Sequence, residues 1–288
     1  MTKSQEPQKE TPSARPNNRS ARTGRSNGSR QTAPRTPQDS WGGVADWYKD
    51  VVESDQSHQK QVILPSLLRR MGKLGGKKVL DVACGTGFFS HALAGQGAKV
   101  TGIDIGKDLI AAAQQKATGH NVPTFIEQSA TDLGGLGVFD HVLCVLALQN
   151  MGKADEAIGA MISALAPGGT LYLVINHPSF RIPKHSRWEQ QSSAKEGKRV
   201  ERIEDIYMSE EAQAMMMHPG SGPASAQTMS YHRPLQWFFK HITNRGGVVT
   251  RLEEWISEKE SQEGPWKAAE DAARKEFPLF MYLEVKKI

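Results

Sequence analysis

The chain has 288 residues, 36 Lys/Arg against 31 Asp/Glu, enough for one large α/β domain or two small ones. No apolar run reaches the roughly 18 residues that a bilayer span takes, and the N-terminus lacks the apolar core of a secretory signal, so neither is expected. Eight of the basic and three of the acidic residues lie in 1–40, which leaves 28 of each in 41–288; a neutral body argues against a nucleic-acid substrate, which asks for a basic footprint on the binding domain.

Residues 1–40 are rich in Ser, Thr, Pro, Asn, Gln and Arg and nearly devoid of apolar residues. Such a segment cannot bury enough surface to offset its ordering entropy, and a disordered basic tail is expected there. Its role is either to keep the protein in solution or to tether an acidic or nucleic-acid partner through Arg19, Arg22, Arg25 and Arg30. Residues 41–74 form a helical cap in this reading, with Trp41, Trp47, Tyr48 and Val51 on one stripe and Val62, Ile63, Leu67 and Leu68 on another. Trp47 and Tyr48 are candidates to cover a ligand cleft.

From residue 75 to 288 strands and helices alternate. Strands are expected at 78–84, 99–105, 123–128, 139–147 and 170–176. Helices are expected at 87–96, 107–117 and 153–165, the last ending before Pro167-Gly168-Gly169. Repeated βα units give a parallel sheet with right-handed crossovers and helices on both faces. Residues 178–233 break the pattern with a polar, charged middle, the run Met215-Met216-Met217 and a Pro/Gly/Ser stretch. An insertion of that length in a compact domain reads as a lid or substrate-binding element. Then come a helix at 235–245, a strand at 248–256, a short helix at 266–275 and a strand at 280–288, the two strands reading as a reversed pair at one sheet edge. Cys84 and Cys144 fall on strands that are possible neighbours; free buried thiols in a reducing, cytoplasmic compartment are expected, and a disulfide is the alternative.

Chemistry gathers at the carboxyl ends of the first three strands, where open α/β sheets bind ligands. The first strand runs Val79-Leu80-Asp81-Val82-Ala83 into Cys84-Gly85-Thr86-Gly87. The glycines allow a tight turn and a close approach of ligand to backbone, and the helix that follows offers its N-terminal dipole to an anionic group. Asp104 ends the second strand, placed to accept hydrogen bonds from two vicinal ribose hydroxyls. Ser129-Ala130-Thr131-Asp132-Leu133 follows the third; Asp132 suits an adenine amino group, with Leu133 and Ile105 on the ring faces. A nucleoside with free ribose hydroxyls is the expected ligand. A dinucleotide turn reads Gly-x-Gly-x-x-Gly, but here Ser90 stands at the third glycine. Asp81 suits a cationic ligand better than a pyrophosphate.

Asp81-Val82-Ala83-Cys84-Gly85-Thr86-Gly87 resembles the first motif of class I S-adenosylmethionine-dependent methyltransferases. Gly102-Ile103-Asp104 resembles their ribose-binding strand end, and Ala130-Thr131-Asp132-Leu133 their adenine-contacting motif. Phe139-Asp140-His141-Val142 resembles the fourth strand and Leu165-Ala166-Pro167-Gly168-Gly169 the loop before the fifth. The likeness is close over 75–177 and looser to residue 288. It implies a Rossmann-like, seven-stranded, mostly parallel sheet with one antiparallel strand, and S-adenosylmethionine lying across strands one to four. Cofactor contacts implied are Asp81, Ala83, Cys84, Gly85, Gly87, Asp104, Ile105, Thr131, Asp132 and Leu133, with Leu146 and Ala147 under the sulfonium.

The acceptor is not legible in the same way. The Asn/Asp-Pro-Pro-aromatic turn of amino-methylating nucleic-acid and glutamine methyltransferases is absent after the fourth strand, where Leu146-Ala147-Leu148-Gln149-Asn150-Met151 stands. Asn176-His177-Pro178-Ser179-Phe180 resembles that turn but follows strand five. The stretch is closer to the small-molecule branch, so a small-molecule acceptor methylated at O, N or C is expected. An RNA or protein methyltransferase that uses the tail, a cofactor-binding protein without catalysis, and less readily a dehydrogenase are the alternatives. His177, Tyr231 and His232 are the candidates for a base or substrate contact. His177, His218 and His232 match no helix or hairpin ligand spacing, and no metal site is expected.

Overall fold

The computed structural model describes residues 45–116, 120–195, 197–216 and 227–288, with side chains from Lys49 onward. The expected tail, the side chains of Trp47 and Tyr48, and His218 lie outside the described residues. Helix α1 (Ala45–Glu53), a π-helical turn (Gln59–Ile63) and α2 (Leu64–Met71) precede the sheet. The alternating part comprises β1 (Lys78–Val82), α3 (Phe88–Gly95), β2 (Lys99–Asp104), α4 (Lys107–Gln115), β3 (Thr124–Glu127), β4 (Phe139–Val145), a 3₁₀ turn (Leu148–Asn150), α5 (Ala154–Ser163) and β5 (Leu165–Asn176).

The expected lid region folds as two antiparallel hairpins, β6 (Ser186–Ser193) with β7 (Gly197–Glu204) and β8 (Glu211–Met216) with β9 (Gln227–His232). The chain then returns through α6 (Leu235–Asn244), β10 (Gly247–Trp255), α7 (Lys267–Glu276) and β11 (Phe280–Lys287).

Seven strands form one sheet in the order β10-β11-β5-β4-β1-β2-β3. Pairing is parallel from β3 through β5, and β11 runs antiparallel between β5 and β10. Alternate residues of each strand leave opposite faces, and both faces are covered. Val142 and Cys144 of β4 pack with Ile158, Met161, Phe238 and Ile242 of α5 and α6. Leu143 and Val145 point the other way, toward Leu67, Met71, Phe89 and Leu93 of α2 and α3. That double burial explains the continuous apolar runs of the inner strands. Cys84 and Cys144 are both buried free thiols. Among the described residues no helix is long and apolar enough to cross a membrane.

One boundary differs from expectation. Pro167-Gly168-Gly169 reads as a loop, but β5 begins at Leu165 and runs through it beside β4. Gly169 permits this: a Cβ there would lie 2.9 Å from the carbonyl oxygen of Ala166 and 3.0 Å from those of Phe139 and Asp140. These are backbone atoms that cannot rotate aside. Gly169→Ala is therefore expected to destabilise the fold by about 1–3 kcal/mol in urea unfolding, the usual range for overpacking. Gly264→Ala, whose added methyl would meet nothing within 4 Å, is expected to change little.

Candidate functional site

The strand order reverses direction between β1 and β4, and the chain leaves these strands on opposite sides of the gap. Such a switch point opens a crevice at the carboxyl ends of the strands. Here it holds a cavity of about 400 Å³ bounded by the ends of β1, β2 and β4 and roofed by β9.

Its floor is built from the turn after β1. Ala83 and Gly85 line it, and both are left-handed, at φ 58° and 55°. For Gly85 that costs nothing; for Ala83 the methyl crowds its own carbonyl. Leu146, at the end of β4 and also on the cavity wall, is left-handed too, at φ 51°. Strain of this kind persists where the surroundings over-determine the backbone; the Leu146 N–H is held at 2.7 Å by the Val174 carbonyl.

Asp104 ends β2 on the cavity wall, 7% exposed. Its Oδ2 accepts the Gly85 N–H at 2.9 Å and its Oδ1 the Gly106 N–H at 2.8 Å. Each oxygen keeps a second acceptor direction, so the group offers two parallel acceptors at fixed spacing, the geometry that a vicinal diol meets. Burial raises the Asp104 pKa, and the backbone N–H bonds of Gly106 and Gly85 oppose the rise. Ile105 is 42% exposed beside it and lines the cavity, leaving an apolar surface free for a flat ring.

Asp81 sits lower. It is 2% exposed, and its Oδ2 accepts the Ser90 hydroxyl at 2.6 Å, which ties β1 to α3 rather than reaching the cavity. Burial pushes its carboxyl up to about 6 against the pull of the Ser90 bond, with the Asp104 charge adding to the rise. Cys84 turns behind the floor into a small cluster with Ile110, Ala113 and Phe125. Gly87 also faces that way: a Cβ there would lie 2.7 Å from Cζ of Phe125, and its left-handed φ of 78° asks for glycine as well.

Ser129, Ala130 and Thr131 border the cavity. Asp132 is exposed, its Oδ1 accepting the Gly134 N–H at 3.3 Å, and Leu133 is buried in the core; neither lines the cavity. On the far wall Leu146 and Ala147 lead into the 3₁₀ turn, and Tyr231 of β9 closes the roof. Arg233, two residues on, is 5% exposed and donates to the carbonyls of Leu148, Met151 and Gly152 at 3.4, 2.7 and 3.2 Å. Its guanidinium lies 5.0 Å from the Tyr231 ring centroid and 4.7 Å from that of Trp237. The second hairpin is thus fastened to the wall of the cavity.

His177 and His232 are held elsewhere. His177 Nδ1 accepts the Ser179 N–H at 3.2 Å, so the ring proton sits on Nε2 and is donated to Glu254 Oε1 at 2.7 Å. Both nitrogens are engaged, burial lowers its pKa against the pull of Glu254, and the ring stacks on Phe180. His232 donates from Nε2 to the Tyr207 carbonyl at 2.7 Å. Of the three expected catalytic residues only Tyr231 lines the main cavity. Leu109, Gln128, Lys153, Thr228 and Met229 line it without having been expected. Lys153 follows a recognisable strand end and precedes α5, a local signal; Thr228 and Met229 lie more than 80 residues downstream of that strand on a polar hairpin that carries no such mark.

A family model described as a methyltransferase domain matches residues 73–239. The ubiquinone biosynthesis O-methyltransferase of Chromobacterium violaceum is 30% identical over 131 residues, 44% of this chain and 56% of that protein. The chain spans about half the length of the curated relatives it matches. Among solved structures, an S-adenosylmethionine dependent methyltransferase from Mesorhizobium loti superposes with TM-score 0.61 at 20% identity, over 81% of this chain and 99% of that one. The magnesium protoporphyrin IX methyltransferase of Synechocystis with bound SAM gives 0.55 at 20% identity, over 90% and 100%.

Two measurements check the site's physics without any ligand. Asp81 binds its proton more tightly folded than unfolded, so between about pH 4 and 6 the folded state holds a proton that the unfolded state has lost. The Asp81 contribution to stability should fall by about 3 kcal/mol as pH rises through that window and then level off; in urea unfolding Asp81→Asn should lose that part of the slope and keep the part that Asp104, also raised by burial, contributes. Ala83→Gly removes a left-handed methyl and should raise stability by about 0.5–1 kcal/mol, the left-handed penalty less the entropy that glycine adds to the unfolded chain; calorimetric unfolding reads it.

Proposed function

The chain belongs to the methyltransferase domain family, and from that membership and the cavity's geometry we propose that it transfers a methyl group from S-adenosylmethionine to a small molecule. One observation carries the reading: a carboxylate at the end of β2, fixed by two backbone N–H groups, faces a cavity at the switch point beside an exposed isoleucine. Asp104 would hold the two ribose hydroxyls and Ile105 one face of the adenine. The Ala83–Gly85 turn would take the methionine part, and Leu146 and Ala147 would border the sulfonium. When bound, the cofactor supplies a methyl group already activated on a sulfonium: an acceptor lone pair forms the new bond to carbon as the S–CH₃ bond breaks and its electron pair returns to sulfur.

The chain's own task is then to bind and orient. Holding two reactants in line is worth about 7–11 kcal/mol of barrier, and a base is needed only where the acceptor must lose its proton early. Tyr231 stands at the roof where an acceptor would enter. His177, with both ring nitrogens occupied, is assigned no proton transfer; the acceptor's proton leaves to water. The relatives named as O-methyltransferases favour oxygen as the methylated atom. A cytoplasmic location is part of the same reading, supported by the two free buried thiols.

Calorimetric titration with S-adenosylhomocysteine tests the donor half of the reading. The wild type should bind. Asp104→Ala should bind at least a hundredfold more weakly, since two hydrogen bonds to a charged acceptor are worth about 1.5–3 kcal/mol each, and Asp104→Asn should fall in between. A wild type that does not bind, or an Asp104→Ala variant that binds as well, would sink the proposal.

A further inference from the structure

The turn that floors the main cavity is held from two sides. Asp104 takes its Gly85 N–H. The Lys116 ammonium donates to its Thr86 carbonyl at 3.2 Å. Thr86 is 1% exposed, and its hydroxyl oxygen has no partner among the described residues. Its own side chain therefore contributes no hydrogen bond that would fix the turn; the lysine supplies one.

Lys116 stands directly after α4, and the same ammonium pairs with Glu53, the last residue of α1. One cation thus joins the turn, α4 and the N-terminal helix. Little else holds α1. Of its described side chains, Lys49 to Glu53, Val52 alone is buried, and Val51 is 45% exposed. The helix leads to α2 through the short segment 54–58, where the Ser57 hydroxyl donates to the Val52 carbonyl at 2.7 Å. An element with few buried apolar contacts opens locally at small cost. A partly buried, charge-assisted tie is then enough to decide whether it is docked. Burial and the nearby Lys49 charge both work against the ammonium, so that tie is balanced rather than tight.

We propose that Lys116 is a latch that makes the docking of α1 and the ordering of the cofactor-binding turn one equilibrium. The latch rests on the methyl-transfer reading. A cofactor seated on Gly85 stiffens the turn and keeps the Thr86 carbonyl where the ammonium meets it. Glu53 then has a fixed partner, and α1 closes. Coupling of this kind is reciprocal, so whatever frees α1 also weakens the cofactor. Lys116 acts through the turn, as a positioning residue.

The test uses the full chain with S-adenosylhomocysteine as the probe. Hydrogen exchange of the α1 amides is followed with and without it, and its affinity is read by calorimetry. In the wild type, saturation should slow α1 exchange by about fivefold or more, the lower end of usual coupling. In Lys116→Met, α1 should exchange fast in both states and affinity should fall by about the same factor. Glu53→Gln should free α1 as well but keep more of the affinity, because the lysine still holds Thr86. The double variant should bind no more weakly than Lys116→Met alone, and Lys116→Arg, which keeps the charge, should keep part of the coupling. Unfolding midpoints show whether each variant folds. A Lys116→Met variant that binds as well as the wild type, or one in which α1 still responds to the probe, overturns the latch. If the wild type fails to bind S-adenosylhomocysteine, the methyl-transfer reading fails and the latch with it; if it binds and α1 exchange does not change, only the latch fails.

Discussion

The Asp104 carboxylate ties the turn after β1 to the turn between β2 and α4. Its oxygens take N–H groups from the turn after β1 and from the start of α4. The backbone around it does the same: the Cys84 N–H reaches the Ile103 carbonyl and the Gln128 N–H the Asp104 carbonyl, each at 2.9 Å. The two bonds to the carboxylate are charge-assisted and worth about 1.5–3 kcal/mol each. They offset a burial that raises the carboxyl's pKa. The carboxylate that joins these two turns also presents two free acceptor directions to the cavity. Preorganisation here is a by-product of folding, because the site cannot loosen unless the strand ends come apart.

A second tie governs the opposite wall. Arg233 reaches back across more than 80 residues to three carbonyls around the 3₁₀ turn, and His232 and Tyr207 are joined just before it. The Tyr207 hydroxyl in turn accepts the Leu235 N–H at 3.0 Å, at the start of α6. Tyr231 therefore hangs over the cavity from a strand fixed at its base. Left-handed Ala83 on the floor and Leu146 on the far wall lie next to these ties, the first beside the Gly85–Asp104 bond and the second held by the Val174 carbonyl.

The sheet could be read in the sequence because its order is local. Apolar runs such as Val142–Val145 are bounded by turn residues, and strands buried on both faces need such runs. Gly85, Asp104 and Thr131 were legible for the same reason, since each sits within a few residues of a strand end that the pattern marks. The four strands of 178–233 were not. Segments such as Ser186–Ser193 have almost no buried residues and so no hydrophobic period to betray them. Their pairing comes from contacts across the hairpins, and for the first hairpin also from contacts with α7 and the residue that ends it. His177 shows a finer limit. Its place at the end of β5 was evident, but the direction of its ring is decided by Glu254 of β10, 77 residues away in the chain. Asp132 and Leu133 reveal the same limit in a turn, where one residue of rotation sends a side chain to solvent or to core.

The position of β11 has a consequence for how the chain acquires its shape. This strand lies between β5 and β10, with Phe280, Tyr282, Leu283 and Val285 all buried. It is also synthesised after the other six strands of its sheet. Until it inserts, β5 presents an open edge and β10 has no partner in the sheet, so the apolar faces that they share with the helices are exposed together. Long-range closure of this kind slows folding and leaves aggregation-prone edges exposed meanwhile. β11 is thus the seam of this flank of the sheet, and a chain cut anywhere before Phe280 would leave β5 and β10 as two open edges in place of one paired seam.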